Sequence, residues 1–157
     1  LEKLAEALGV PFEFQAIPSR TSLVTPSILD CLPGEALVVN FAFQLHHMPD
    51  ESVSTINQWD QLLRMVKGLN PKLVTVVEQD VNTNTSPFFP RFIEAYSYYS
   101  TVSEDIVNIV ACEGEERIER YEVAGKWRAR MMMAGLTSHP MSQNVIDMIW
   151  KHIKEYV

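Results

Sequence analysis

Two adjacent imidazoles, His46 and His47, stand in Leu45-His46-His47-Met48-Pro49-Asp50-Glu51, and imidazole beside carboxylate is a combination that binds divalent metals or moves protons near neutral pH. Neighbouring side chains diverge by about 100° on a helix and about 180° on a strand, so the pair is not expected to face one ion and is read as structural. Asp50 suits a helix N-cap as well as a general base. A second acidic group, Glu78-Gln79-Asp80, closes a β-branched run. That is the end of a strand at which open α/β sheets hold ligands, although strand ends are solvated by such residues in any case. The six glycines form neither G-x-G-x-x-G nor a P-loop, and no serine or cysteine occupies a G-x-S-x-G elbow. Asn84-Thr85-Ser86 matches a glycosylation sequon, read as a chance match without secretion. Lys126, Arg128 and Arg130 surround Trp127, but on a helix they point different ways and read as a solvated face rather than a nucleic-acid patch. Phe88, Phe89, Tyr96, Tyr98 and Tyr99 outnumber what one helix face buries; packing against neighbouring helices accounts for most of that surplus, and a partner surface is the alternative.

The elements that position these groups alternate between extended and helical periods, the pattern of an α/β fold with a parallel sheet. Phe12, Phe14 and Ala16 alternate as a first strand near an edge. Residues 36–43, from Ala36 to Phe43, read as a strand covered on both faces, and Leu73-Val74-Thr75-Val76-Val77 as a third. Val53, Ile56, Trp59, Leu62, Leu63 and Val66 mark a crossover helix, with Pro49-Asp50 before it and Gly68 after. Leu1, Leu4 and Leu8 mark the end of an earlier helix. Pro87 opens another, carrying Phe88, Phe92, Ala95, Tyr96 and Tyr99. One long amphipathic helix is predicted from Glu115 to Ala134, with Glu116–Arg120 and Glu122–Lys126 paired at i,i+4, ended by Gly135. A last helix carries Met141, Val145, Ile149, Ile153 and Val157 on one face.

With 157 residues, 46% apolar, the chain has the size of one domain with a real core. Cys31 and Cys112 belong to no metal or redox motif, which favours a reduced intracellular compartment. A formal charge of −7 argues against unaided binding to nucleic acid or anionic membrane. No apolar run approaches a membrane span, and the start Leu1-Glu2-Lys3 suggests a piece of something longer.

Three runs carry a resemblance: residues 39–48 from Val39 to Met48, residues 74–80 from Val74 to Asp80, and residues 86–94 from Ser86 to Glu94. Together they resemble the plant GRAS-domain family. Asn108-Ile109-Val110-Ala111-Cys112-Glu113-Gly114, leading into Arg117-Ile118-Glu119-Arg120, resembles its scarecrow-like members of the phytochrome A signal transduction branch. Pro87, Phe88, Arg91 and Glu94 match the family's PFYRE region. Arg117, Glu119 and Arg120 match its RVER element, and Trp127 with Gly135 matches the W-x7-G of its SAW region. With Leu45 and His46, these are the candidate interaction and motif residues. Arg91, Glu94, Arg117 and Glu119 also read as Arg/Glu pairs that orient helices.

The resemblance implies a non-enzymatic nuclear transcription regulator, with the cytoplasm as a second compartment. It acts through other transcription factors or GRAS proteins, with DNA contact indirect or undecided, no membrane, and a dimer as an option. It implies a partial Rossmann-like, methyltransferase-like parallel sheet with flanking helices and the first strands missing. Residues 1–157 would be the C-terminal portion of a GRAS domain, with a PFYRE region at about 72–100 and an incomplete SAW region at about 105–157. The VHIID segment is absent, and the family pattern is shortened around Ser100-Thr101-Val102-Ser103-Glu104 by a couple of dozen residues. Trp59 and Trp150 stand where polar residues are expected. Without its first strand such a sheet cannot build the crevice at its switch point, so no cofactor is expected, and with His46 and His47 read as structural no metal is expected either. The alternatives are an S-adenosylmethionine-dependent methyltransferase relative using Glu78 or Asp80, and a non-functional truncated copy.

Overall fold

Two of the three apolar runs pair as strands. In this computed structural model, which describes residues 1–51, 53, 56–98 and 103–156, β1 (Val38–Ala42) lies parallel to β2 (Leu73–Val77), with Val38 opposite Leu73 and Ala42 opposite Val77. Residues 99–102 and 157 lie outside the described residues, and with them the expectations placed on Tyr99, Val157 and most of the shortened segment.

The first predicted strand does not form. Residues 11–18 carry no regular structure, and Phe12 and Phe14 are 46% and 57% exposed, because no strand among the described residues offers their backbone a partner. β1 is also covered on one face only. Phe41 is buried and Val39 half-buried, whereas Val38, Asn40 and Ala42 are exposed.

Helix α1 (Glu2–Ala7) precedes the sheet. Helix α2 (Gln58–Gly68) makes the crossover between the strands. It starts later than Pro49-Asp50, because Asn57 is the N-cap and its side chain accepts the Asp60 N–H at 3.1 Å. Trp59, Leu62, Leu63 and Val66 of α2 pack with Phe41, Leu45, Met48, Trp127 and Ala134 into the main core. The Trp59 and Trp127 rings are tilted at 4.9 Å, and the Arg130 guanidinium lies 4.2 Å over Trp59. Trp59 is fully buried, so its apolar body serves the core.

Helices α3 (Phe88–Tyr98) and α4 (Ser103–Ala111) pack on each other around a second cluster of Val81, Ala95, Ile109 and Tyr121. Pro87 sits just ahead of α3, and its carbonyl accepts the Arg91 N–H at 2.9 Å.

The long helix predicted over 115–134 is broken in two. A 3-10 turn (Gly114–Glu116) is followed by an extended stretch, and the helix α5 begins only at Ala124 (Ala124–Met133). Long-range partners take the backbone groups that a helix would use. Asn108 Oδ1 accepts the N–H groups of Ile118 and Glu119, the His46 carbonyl accepts Arg120 N–H, and the Tyr121 carbonyl accepts from Thr83 and Asn84. Glu116 and Arg120 therefore never meet at helical spacing. Gly135 does end α5: at φ 87°, its N–H reaches the Met132 carbonyl and Leu136 N–H reaches that of Met131, the double closure that favours glycine after a helix. Helix α6 (Gln143–Tyr156) forms as predicted, but its apolar residues Val145, Ile149 and Ile153 are exposed, as is Met141 just ahead of it.

Candidate functional site

The ends of the two strands meet at Glu78. Just after β1 the chain reverses at Phe43 (φ 52°), whose N–H still bonds the Val77 carbonyl, and a 3-10 turn (Leu45–His47) follows. The free N–H groups at the start of that turn point at Glu78. Its Oε1 accepts from Gln44 at 3.0 Å and Leu45 at 2.8 Å, while Oε2 lies 2.5 Å from His46 Nδ1. Burial pushes the Glu78 carboxyl up, but the His46 hydrogen bond and the two backbone donors outweigh it and hold its pKa below the usual carboxylate value.

The two imidazoles converge, contrary to the divergence argued from regular geometry. Their ring centroids are 3.9 Å apart, and the buried His46 ring also stacks on Tyr121 at 4.3 Å. Glu119, on the extended stretch before α5, faces both: its Oε2 is 3.6 Å from His46 Nε2 and its Oε1 3.4 Å from His47 Nδ1. The rule for helix and strand neighbours fails here because the pair sits on a single tight turn, with one ring turned by Glu78.

Beside this cluster lie three buried arginines. Arg91 of α3 pairs with Glu113 rather than with Glu94, which is exposed. Arg120 donates to the Gly114 carbonyl at 2.6 Å. Arg117 and Arg120 have their pKa values lowered, first by burial; Arg91 adds to this at Arg117 and Arg117 at Arg120, while Asp50 opposes it at both. Arg117 does not pair with Glu119. The expected orienting pairs are thus replaced by Arg91–Glu113 and by Glu119 with the two histidines.

A second buried carboxylate, Glu122, is paired with Lys126 at 2.9 Å, as the i,i+4 spacing predicts, although Glu122 precedes the helix. It also accepts from Asn84 at 2.8 Å and lies 3.9 Å from Arg130. Arg130 reaches Glu51 as well, whereas Arg128 is exposed, so the basic residues of α5 form no common patch. Asn84, the sequon asparagine, is buried with its amide committed to Glu122. Asp80 accepts the Ala124 N–H at 2.8 Å and so caps α5 from the far side of the loop. Sequence reasoning missed Asn108 and Asp80 as backbone acceptors, since both bonds span 10 residues or more.

Among the motif residues, Leu45, His46, Arg91, Arg117, Glu119, Arg120 and Trp127 are buried, whereas Pro87, Phe88, Glu94 and Gly135 are exposed.

A mixed α/β chain whose parallel strands end in a buried carboxylate–histidine brace defines a partial Rossmann-like architecture. By sequence the chain belongs to the GRAS domain family, which matches residues 1–105 and 100–156. It is similar to Scarecrow-like protein 1 of Arabidopsis thaliana, 66% identical over 99% of this chain and 30% of that protein. It is also similar to Scarecrow-like transcription factor PAT1 of the same plant, 50% identical over 99% of this chain and 36% of the other. The crystal structure of SCL7 in Oryza sativa superimposes with a TM-score of 0.86 at 27% identity, over 99% of this chain and 49% of that one. The chain thus spans about a third of the length of these curated relatives. The alignment with Scarecrow-like protein 1 runs over 178 positions against 157 residues, so at least 178 − 157 = 21 positions of the relative have no counterpart here. The two family segments meet at residues 100–105, where the sequence pattern is shortened.

Proposed function

We propose that this chain serves a GRAS-type transcription regulator as a protein-interaction segment, without catalysis of its own, and that it works in the nucleus with the cytoplasm as a second compartment. Family membership carries the reading, and the naming of one relative as a transcription factor supports it. Partners are other transcription factors or GRAS proteins, with DNA reached through them.

The motif residues divide between two jobs. Leu45, His46, Arg91, Arg117, Glu119, Arg120 and Trp127 hold the ends of the strands and helices together. Contact with partners falls to exposed groups, above all on α3, where Phe88, Phe92 and Tyr96 recur at i, i+4 and i+8. Phe88 is 60% exposed and Tyr96 likewise, which supports a face that a partner covers. The test is binding of the chain to a panel of plant transcription factors and GRAS proteins. Phe88→Asp with Tyr96→Asp weakens binding tenfold or more if α3 is the contact face. Retained binding in a folded double variant refutes it.

A further inference from the structure

We propose that His46, His47 and Glu119 form a binding site for one divalent cation of the zinc class. One ligand atom from each lies within 4.8 Å of the other two. Zinc bonds imidazole nitrogen and carboxylate oxygen at about 2.0–2.2 Å, and a tetrahedral angle then places ligand atoms about 3.3 Å apart. Glu119 Oε2 lies 3.6 Å from His46 Nε2 and Glu119 Oε1 3.4 Å from His47 Nδ1, each within a few tenths of that spacing, so the carboxylate faces the two imidazoles with one oxygen apiece.

The arrangement is poorly explained as hydrogen bonding. The 3.6 Å distance is too long for a hydrogen bond, and Glu119 Oε2 is buried with no hydrogen-bond partner, facing His46. Such an orphaned buried carboxylate oxygen is costly unless something electropositive fills the gap.

The surroundings are those of a metal ligand set. Glu78 Oε2 holds His46 through Nδ1, so Nε2 is the ring nitrogen turned to the gap beside Glu119. A metal-ligating histidine almost always has its other ring nitrogen held in this way, by a carboxylate, a backbone carbonyl or water. Glu78 is itself held by two backbone N–H groups, and the His46 carbonyl is pinned by Arg120 N–H at 3.0 Å, so the imidazole is oriented in advance. The Glu78 and Glu119 carboxylates supply the negative charge nearest the gap. The nitrogen-rich set selects zinc over magnesium or calcium. The His47 side chain, 47% exposed, leaves the site open to solvent on one side, which gives the ion a way in.

The test is a titration of the chelator-treated full chain with Co2+, followed by its visible absorption and by competition with Zn2+. The account predicts one Co2+ per chain, a d–d spectrum of a four- or five-coordinate nitrogen/oxygen site, and stoichiometric displacement by Zn2+. His47→Ala, at an exposed position, and Glu119→Gln each weaken binding at least tenfold, and Zn2+ raises the Tm of the parent chain but not of the variants. A double variant of the other two histidines, His139→Ala with His152→Ala, binds as the parent does. If Glu119→Gln does not fold, His47→Ala decides alone. No Co2+ binding, or equal binding by the parent and His47→Ala, overturns the proposal.

Discussion

Glu78 and His46 stand 32 residues apart in the chain and 2.5 Å apart in the fold. One closes β2 and the other lies on the turn after β1, so a single carboxylate ties together the ends of the two parallel strands. The same carboxylate satisfies the two leading N–H groups of that turn, which places His46 before any partner arrives. Glu119 then attaches the stretch ahead of α5 to the same point.

The main core depends on Trp59. Trp59→Ala removes a fully buried ring that meets Trp127 and Arg130, and destabilises the chain by about 3–5 kcal/mol. Chemical denaturation followed by Trp127 and Trp150 fluorescence checks this. A loss below about 1 kcal/mol would mean that α2 does not seat on the sheet as described.

Glu122 is the counter-charge for α5. Glu122→Ala leaves Asn84 without its acceptor and removes the partner of half-exposed Lys126, while Arg130 keeps Glu51, at a cost of about 1–3 kcal/mol. Substitution of exposed Glu94 by Ala changes stability by no more than about 0.5 kcal/mol. Thermal unfolding of the two variants side by side checks the contrast.

β1 has an open edge among the described residues. Phe43 N–H bonds Val77 and the Leu37 carbonyl accepts from Lys72, so odd-numbered residues face β2. Val38, Asn40 and Ala42 turn their backbone groups outward. Unpaired strand edges associate, so the chain forms dimers or larger species in light scattering. Val38→Lys with Ala42→Lys shifts it toward monomer. A parent chain that is monomeric at every concentration would contradict this.

A cofactor crevice in a Rossmann-like sheet lies where strand order reverses, and the two parallel strands among the described residues contain no such point. Calorimetric titration with S-adenosylmethionine therefore gives no binding heat. A 1:1 endpoint would restore the methyltransferase reading.

Legibility in the sequence followed the range of the interactions. Residues 73–77 were readable as a strand because β-branched residues are dense there, and the helix ends at Pro87 and Gly135 because local backbone chemistry dictates them. The segment from Glu115 to Val123 misled, since its apolar spacing suits a helix while Asn108, His46 and Thr83, distant in sequence, claim its backbone. Phe12 and Phe14 alternate as a strand does, yet a strand forms only beside a partner. The motif residues were recognisable as a set, but not their pairing. Spacing cannot show that Arg91 meets Glu113, or that two neighbouring histidines converge on Glu119.

The most direct measurement is the affinity of the folded chain for a panel of plant transcription factors and GRAS proteins, taken for the parent and for Phe88→Asp with Tyr96→Asp. The account predicts saturable binding to at least one panel member, weakened tenfold or more by the double variant with its Tm unchanged. A folded parent chain that binds no member, or a double variant that binds as tightly as the parent, would contradict it.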